Sequence, residues 1–365
     1  MSSALFSPIS LGPVTLPNRI VVAPMCQYSA IDGNVADWHA VHLGALARSG
    51  AGLVIIEATG VEAAGRISPW DVGLYSDDNE RALAKVLDTC AKVGNATFGI
   101  QLAHAGRKAS TEAPWRGGKP VPGGAGGWQT FAPSARAFAD GWPVPAALDA
   151  DGMRRVRQAF VDAARRAVRL GIRVIELHYC HGYLMHQFMS PLANHRDDAY
   201  GGSPENRLRF PLETFGAVRD ACPPDVVVGA RISGSDWMEG GSGIDDGIAI
   251  AQGIEARGGG FIDVSTGGID PRARIVVGPG YQVPHAEQVR KHVRIPVCAV
   301  GMISHAAQAE EIVANGRADL VGLARAFLDN PHWPLHAAQQ LGAAIDYPPQ
   351  YARAHPSVWR AAAYR

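Results

Sequence analysis

Short apolar runs rich in β-branched residues recur along the chain, and amphipathic stretches separate them. The runs are apolar at consecutive positions, which is typical of strands that helices cover on both faces. They predict eight strands, over Arg19–Pro24, Leu53–Thr59, Thr97–Ala103, Arg173–His178, Val226–Ile232, Phe261–Thr266, Pro296–Gly301 and Asp319–Leu323. The stretches between them predict helices over 39–48, 79–93, 151–170, 206–221, 245–257, 284–293, 305–315 and 331–341.

The alternation of strands and helices indicates an α/β fold. Eight strands, each followed by a helix, predict a (β/α)₈ TIM barrel. The alternative is an open doubly wound sheet. The barrel is favoured because the count reaches eight and no GxGxxG turn follows the first strand; Gly258-Gly259-Gly260 precedes a strand instead.

Two segments interrupt the regular pattern. Residues 4–18 predict an N-terminal β-hairpin that caps the barrel floor. Residues 106–148 are rich in Gly, Pro and Trp and separate the third strand from its helix, and a loop this long is usually functional, such as a lid. No linker is visible, so we expect one domain over residues 1–365, with a C-terminal tail over 342–365.

The composition excludes several classes of protein. Lys plus Arg number 34 and Asp plus Glu number 34, so no overall charge favours nucleic acid or membrane as a partner. The 5 cysteines are scattered without a CxxC pair, which argues against a disulfide scaffold, a zinc ribbon or an iron–sulfur cluster. No signal segment is visible, and no run approaches the ~18 apolar residues that span a bilayer. We therefore expect a soluble, cytoplasmic protein.

Polar residues stand where the predicted strands end. In a barrel all these ends lie on one face, where catalysis takes place. His178, His181 and Tyr183 follow the fourth strand. Two imidazole N–H groups can bind one substrate oxygen, and a phenol nearby can deliver a proton to the adjoining carbon skeleton. These groups suit the reduction of an activated double bond if another group supplies hydride.

A second set of residues predicts a cofactor site on the same face. Gly301 after the seventh strand and Arg325 after the eighth match the phosphate site that such barrels often have. Gln101 offers a donor and an acceptor to a heteroaromatic ring, and Arg231 would neutralise negative charge on it. Together they predict a phosphorylated planar cofactor over the barrel mouth.

Each candidate also has a structural interpretation. A lone cysteine such as Cys26 is often a small core residue. His178 and His181 form an H-x-x-H pair that could bind the metal of a TIM-barrel hydrolase, although this spacing alone is a weak signal. A Schiff-base aldolase would need a lysine inside a strand, and Lys108 lies only near a strand end. His39 and His42 near a helix start are expected to be surface or capping residues.

Several short motifs, in order along nearly the whole chain, resemble the Old Yellow Enzyme family of FMN-dependent ene-reductases. The short bacterial branch that includes xenobiotic reductases is the most similar. The motifs are Pro24-Met25-Cys26-Gln27-Tyr28, His104-x-x-Arg107-Lys108, His178-x-x-His181-Gly182-Tyr183, Asn194-x-Arg196-x-Asp198-x-Tyr200-Gly201-Gly202, Asn206-Arg207-x-Arg209-Phe210, Pro348-Pro349-Gln350-Tyr351 and Arg353.

The resemblance implies a role for each candidate residue. His178 and His181 would bind the substrate's carbonyl or nitro oxygen, Tyr183 would donate the proton, Tyr28 would add a second hydroxyl, and Cys26 would tune the flavin. FMN would be held by Ala23, Pro24, Met25, Cys26, Ala58, Gln101, Arg231, Gly301, Ala324 and Arg325. Arg353 resembles an arginine that enters a neighbouring subunit's active site, which implies a homodimer or homotetramer.

The resemblance further implies ping-pong reduction of enones, maleimides and nitroalkenes, with NADPH (or NADH) as reductant. Two positions depart from the family pattern. Ala324 stands where a glycine is common, and Gly301 stands where some relatives place a Trp. The second change should leave more room over the flavin, and Trp359 from a neighbouring subunit is the candidate to fill it.

Overall fold

Eight parallel strands close into a barrel within residues 3–364, the part of the chain described by the structure, which is a computed structural model. We number them barrel strands 1 to 8 in chain order: Ile20–Val22, Leu53–Gly60, Thr97–Ala103, Val174–Tyr179, Val227–Ser233, Ile262–Ser265, Val297–Ala299 and Leu320–Leu323. Barrel strand 8 pairs with barrel strand 1, which closes the cylinder. The TIM-barrel prediction is therefore confirmed, and the open sheet is excluded.

Barrel strands 1 and 7 are shorter than the sequence predicts, for a local chemical reason. The Ala23 N–H still bonds the Leu323 carbonyl at 2.9 Å, but Pro24 has no N–H with which to continue the ladder. Pro296 likewise cannot donate at the start of barrel strand 7. At its far end Gly301 turns the chain with φ 107°, a left-handed conformation that favours glycine.

Helices surround the barrel, and all eight predicted helices are present with small shifts at their ends. In chain order the helices are α1 Asp37–Ala47, α2 Asp77–Val93, α3 Ala150–Arg169, α4 Leu184–Met189, α5 Pro204–Ala221, α6 Ile244–Glu255, α7 Val283–Arg290, α8 Ala306–Ala314, α9 Arg325–Asp329 and α10 Trp333–Leu341. The sequence did not predict α4 and α9, because 6 and 5 residues are too few to show a period of 3.6. No helix within residues 3–364 is long and apolar enough to cross a membrane.

The predicted N-terminal hairpin is also confirmed. Ile9–Leu11 pairs antiparallel with Val14–Leu16. Its apolar face packs on residues at the amino ends of the barrel strands, such as Leu53, Val174 and Val227, in a cluster separate from the main core. The hairpin thus closes the floor and leaves the opposite end of the barrel for chemistry.

Truncating the hairpin's buried side chain should destabilise the barrel without touching the mouth. Leu11 is fully buried. We expect Leu11→Ala to lower the free energy of unfolding by about 2–5 kcal/mol, because a cavity replaces the side chain. Thr15→Ala, at an exposed position of the same hairpin, is the matched control and should change it by less than about 0.5 kcal/mol. Urea unfolding measures both, and equal effects would show that the hairpin does not seal the floor.

The segment over residues 106–148 folds back over the loops that follow barrel strands 1 and 2. The Trp128 indole N–H donates to the Ala64 carbonyl at 3.0 Å. Trp115, at a turn of the segment, meets the Tyr28 ring edge-on with 5.5 Å between ring centroids. The segment therefore forms one wall of the barrel mouth.

Candidate active site

A cavity of about 650 Å³ opens at the carboxyl ends of the barrel strands. That volume suits a small-molecule cofactor. Six of the residues predicted to bind FMN or substrate line it: Ala23, His181, Arg231, Gly301, Ala324 and Arg325. Most of the other wall residues come from the end of barrel strand 6, such as Ser265, and from the loops after barrel strands 6 and 7, such as Tyr281 and Met302.

The turn after barrel strand 4 brings His178, His181 and Tyr183 together. The ring centroid of His178 lies 5.1 Å from that of His181 and 5.0 Å from that of Tyr183. His181 adopts φ 58°, a left-handed conformation that is uncommon outside glycine and that marks functional turns. This sharp turn lets residues 178 and 181 face each other although only two positions separate them.

Both imidazoles are neutral near pH 7. Burial lowers the pKa of His178 and of His181 well below the usual 6.5, and the nearby Arg231 and Lys108 cations lower both further. A neutral imidazole has one donor and one acceptor nitrogen. Each ring therefore offers the cavity a single N–H group, and its other partners decide which nitrogen carries the proton.

Ser265 is placed to set the tautomer of His181. The Ser265 Oγ lies 2.7 Å from His181 Nε2 and accepts a hydrogen bond from Gln282 Nε2 at 3.2 Å. Its own hydroxyl proton can then be donated to His181 Nε2, which leaves the imidazole proton on Nδ1. Similarly, Cys180 Sγ lies 3.7 Å from His178 Nδ1, and burial raises the pKa of this thiol well above 9.0, so it remains a donor. A hydrogen bond donated by this thiol to Nδ1 would leave the His178 proton on Nε2.

Tyr183 is held as a protonated phenol. Burial raises its pKa well above 10.0, and the acidic groups of Cys26, Tyr28 and Asp71 raise it further. The Lys108 ammonium lies 5.0 Å from the centroid of the phenol ring. Lys108 also donates to the carbonyls of His181 at 2.7 Å and Gly268 at 2.9 Å, so it ties the turn to the loop after barrel strand 6.

Cys26 and Tyr28 are not among the residues that line the cavity. Cys26 packs with Ala58, Ala103, Trp128 and Tyr183 in a small apolar cluster. Burial raises the pKa of the Cys26 thiol well above 9.0, so it stays protonated. The structure thus brings Cys26, Ala58 and Tyr183 together, while Pro24 and Met25 lie on the loop that links them to barrel strand 1.

Glu57 of barrel strand 2 and His39 of α1 hold this loop in place. The Glu57 carboxylate accepts from the Gln27 N–H at 2.8 Å, and its other oxygen lies 3.3 Å from His39 Nε2. His39 is buried, so the expectation of a surface residue is wrong. Its Nδ1 does cap α1 by accepting from the Ala36 N–H at 3.0 Å. The capped N–H satisfies Nδ1, while Nε2 lies at ion-pair distance from Glu57 without an aligned hydrogen bond.

Arg231 and Gln101 lie in the barrel interior beneath the mouth. Arg231 Nε is 3.1 Å from Asp263 Oδ2, an ion-pair distance, although the angle is too poor for a hydrogen bond. Gln101 donates to Glu176 at 2.7 Å. An arginine that is buried beside a cavity and lacks an aligned partner is suited to an anionic or electron-rich ligand.

The residues present fit FMN. Arg231 lines the cavity and would lie beside the planar ring, and Arg325, at the cavity rim at the start of α9, would hold the phosphate. Gly301 is required by space as well as by its φ, because a Cβ there would lie 2.8 Å from Gln282 Oε1. The backbone at Gly301 and Ala324 can therefore approach a ligand closely.

The metal-hydrolase alternative has a possible ligand set. His178, Cys180 and His181 offer ligand atoms within 4.8 Å of one another. The set contains no carboxylate, however, and its buried thiol is held protonated while Arg231 and Lys108 add positive charge nearby. These conditions oppose a divalent cation.

Comparison with known proteins decides between these alternatives. The model of the NADH:flavin oxidoreductase / NADH oxidase family matches residues 4–343. The chain belongs to this family. It is accordingly an NAD(P)H-dependent flavin oxidoreductase with FMN as cofactor, and the hydrolase interpretation is not favoured.

Its relatives within the family extend over the whole chain. An NADPH dehydrogenase of Geobacillus thermodenitrificans is 45% identical over 97% of this chain and 99% of its own length. One from Bacillus subtilis is 41% identical over the same shares. These values support the resemblance to the Old Yellow Enzyme family.

Among solved structures, morphinone reductase superimposes with a TM-score of 0.77 at 28% identity, covering 96% of this chain and 93% of its own. The 2-naphthoyl-CoA reductase superimposes with a TM-score of 0.83 at 26% identity over 92% of this chain. This chain spans only about half, 52%, of that larger enzyme.

The C-terminal tail lies away from the chain's own cavity. Tyr351 packs on His332 with 5.4 Å between ring centroids, and Gln339 donates to the Ala362 carbonyl at 2.6 Å. The tail thus runs against α10, and neither Arg353 nor Trp359 is among the residues that line the cavity. Their entry into a neighbouring subunit's active site stays a prediction.

Sequence reasoning missed several residues of the site. Glu176, Asp263 and Ser265 are polar residues inside apolar strands, and the argument that a buried Arg231 needs a partner could have found them. Gln282 and Trp115 lie on long loops and gave no signal. Their positions depend on how the loops fold back, which sequence spacing does not encode.

The lowered histidine pKa values predict how ligand binding depends on pH. A depressed imidazole pKa means that His178 and His181 stay neutral as the pH falls through about 6.5. We expect the affinity of the oxidised enzyme for cyclohexenone, which does not titrate, to stay constant from about pH 7.5 to about pH 5.5. Perturbation of the flavin spectrum measures it. A rise in affinity below about pH 6.5 would instead show imidazolium formation.

Proposed function

We propose that the protein reduces the C=C bond of enones, maleimides and nitroalkenes, with NADPH, or NADH, as the reductant. The observation that carries this proposal is a pair of neutral imidazoles, 5.1 Å apart between centroids, with a protonated phenol 5.0 Å from the His178 ring. They lie beside the cavity that Arg231 and His181 line. The NADPH dehydrogenases among the relatives support the choice of nicotinamide.

The imidazoles polarise the substrate. His178 Nε2–H and His181 Nδ1–H donate to its carbonyl or nitro oxygen, which withdraws electron density from the β-carbon. Bound FMN would supply the hydride chemistry between the nicotinamide and that carbon. Arg231, which lines the cavity, would place a positive charge beside the flavin ring.

Tyr183 completes the reaction. As the C=C π bond breaks, a new C–H bond forms at the α-carbon with the proton of the Tyr183 hydroxyl, and solvent later returns a proton to the phenolate. The sum is one reduced nicotinamide, one proton and one enone converted to the oxidised nicotinamide and one saturated ketone. Tyr28 and Cys26 line the same side of the mouth, where Tyr28 adds a hydroxyl for the activating group and Cys26 tunes the flavin.

A two-step titration tests the proposal. The purified protein should be yellow and should lose its flavin absorbance when NADPH is added without oxygen. One equivalent of cyclohexenone per reduced flavin should then restore the colour and yield cyclohexanone. Bleaching by NADPH without reoxidation by any enone, maleimide or nitroalkene would refute the ene-reductase proposal. An ester hydrolase would turn over substrate with no colour change.

We further propose that the protein works as a homodimer or homotetramer in which Arg353 and Trp359 enter a neighbour's active site. The supporting observation is that Arg353 is exposed on the tail and lies outside its own cavity. Mixing inactive Arg353→Ala subunits with inactive Tyr183→Phe subunits should restore activity, because some sites then receive one intact copy of each residue. No recovery on mixing would place Arg353 outside the neighbour's site.

A further inference from the structure

Four charged or polar residues form a layer across the barrel interior beneath the cavity. They are contributed by barrel strands 3 to 6: Gln101, Glu176, Arg231 and Asp263. In register, Gln101 pairs with Glu176, and Arg231 pairs with Asp263. All four side chains are buried, and of these only Arg231 also lines the cavity.

Their contacts leave two carboxylate oxygens without a hydrogen bond. Glu176 accepts from Gln101 through Oε1, while its Oε2 has no hydrogen-bond partner among the described residues. Asp263 faces Arg231 through Oδ2, and its Oδ1 is likewise unpartnered within residues 3–364. Two buried, ionised oxygens in this state would be costly.

The charges of the layer do not balance if every group is ionised. One guanidinium then faces two carboxylates, which leaves a net charge of about −1 in the barrel interior. One bound proton restores neutrality. Asp263 is in contact with Arg231, whereas the direct partner of Glu176 is the neutral amide of Gln101, so Glu176 is the group that holds the proton.

The direction of the Glu176 pKa agrees with this assignment. Burial and the neighbouring Asp263 raise its pKa to about 8, against the lowering effects of Arg231 and of the Gln101 hydrogen bond. Burial raises the pKa of Asp263 as well, but Arg231, which is in contact with it, lowers that pKa directly. A carboxyl whose pKa is raised in this way stays protonated at neutral pH and loses its proton above it.

We propose that Glu176 is a positioning residue that carries a proton at neutral pH and thereby sets the net charge that Arg231 presents to bound FMN. Loss of this proton makes the layer net negative and makes the flavin harder to reduce. The inference rests on the proposed placement of the FMN ring beside Arg231.

Most of the other titratable groups near Glu176 keep one protonation state over the pH range in which Glu176 titrates. Burial keeps Cys180 and Cys298 as thiols and His178 and His181 as neutral imidazoles across this range. Lys108 is the exception, because burial lowers its pKa to about 8 as well. Gln101 is the neutral hydrogen-bond partner of Glu176. The charged and titratable groups in this part of the barrel are Arg231, Asp263, Cys298, Cys180, His178, His181 and Lys108.

The test is the two-electron midpoint potential of the bound FMN, measured from about pH 6 to about pH 9 in wild type and variants. Glu176→Gln keeps the shape and the Gln101 contact but cannot ionise. Its potential should equal that of wild type at the acid end and exceed it at the alkaline end. We expect at least a tenfold change in the ratio of affinities for reduced and oxidised FMN, which is about 30 mV for two electrons.

Two further variants make the result decisive. Asp263→Asn removes the negative charge that raises the Glu176 pKa. The pH region in which the FMN midpoint potential falls most steeply should therefore lie at lower pH than in wild type. Lys108→Met should leave the steep part in place. The proposal is overturned if the potential of Glu176→Gln runs parallel to that of wild type at every pH. It is also overturned if the steep region of the Asp263→Asn potential stays at its wild-type pH. If Glu176→Gln does not fold, Asp263→Asn alone decides, and failure of wild type to bind FMN would instead refute the cofactor site.

Discussion

Replacing Tyr183 with Phe is expected to slow reoxidation of the reduced enzyme by cyclohexenone about 10²–10⁴-fold, the usual contribution of a positioned acid. Reduction by NADPH should be nearly unchanged, because that half of the reaction needs no proton from the protein. The phenol lies 5.0 Å, centroid to centroid, from the His178 ring that positions the substrate oxygen. Stopped-flow absorbance of the flavin measures the two half-reactions separately.

The alkaline behaviour of the wild type follows from the same site. Because the pKa of Tyr183 is raised well above 10.0, its hydroxyl should not lose its proton at any working pH. The nearby Lys108 ammonium stabilises the phenolate that proton transfer leaves behind. Burial lowers the pKa of Lys108 to about 8, so this stabilising charge is lost above that pH. Any fall in the wild-type reoxidation rate near pH 8 should therefore be absent from Lys108→Met.

Tyr179 provides a matched control for the tyrosine substitution. It is fully buried at the end of barrel strand 4, just before the turn that carries Tyr183, and its hydroxyl donates to the Pro211 carbonyl at 2.9 Å. Tyr179→Phe should cost about 1 kcal/mol of stability and leave both half-reactions intact. Equal slowing of both half-reactions in Tyr183→Phe would remove Tyr183 from the role of proton donor.

Much of the fold was predictable because each strand and helix of a parallel barrel shows its own apolar pattern within a short stretch of sequence. Apolar runs of five to eight residues are long enough to show a strand buried on both faces, and amphipathic helices such as α3 show a period of 3.6. Strand ends were less certain, since Pro24 and Gly301 end their strands through backbone chemistry that hydropathy does not reveal. The short helices α4 and α9 were missed for lack of length.

The candidate site was predictable where a residue contradicts its surroundings. Arg231 inside an apolar strand signalled function, and Glu176 and Asp263 carry the same signal in neighbouring strands. Contacts between distant loops were not predictable. The contact of Trp115 with Tyr28 and the hydrogen bond of Gln282 to Ser265 join residues whose separation is set by the closed barrel.

Replacing His178 with Ala is expected to slow reoxidation by an enone about 10²–10³-fold, the usual cost of removing one donor to a developing oxyanion. The effect should again be confined to this half-reaction. Loss of one N–H leaves the substrate oxygen bonded only to His181, so the affinity for cyclohexenone should also fall. His181→Ala should act in the same way, because the two rings face each other with 5.1 Å between centroids.

Ser265→Ala separates the position of the His181 ring from the position of its proton. The serine hydroxyl is 2.7 Å from His181 Nε2, and without it the proton is free to move from Nδ1 to Nε2. We expect a smaller loss than in His181→Ala, about 1 kcal/mol or fivefold in the reoxidation rate, because the ring stays and only its favoured tautomer is lost. Thr266→Val, which removes the neighbouring hydroxyl bonded to Gln282, leaves the serine contact intact and is the matched control. A Ser265→Ala enzyme with wild-type rates would show that Nδ1 of His181 is not the nitrogen that binds the substrate oxygen.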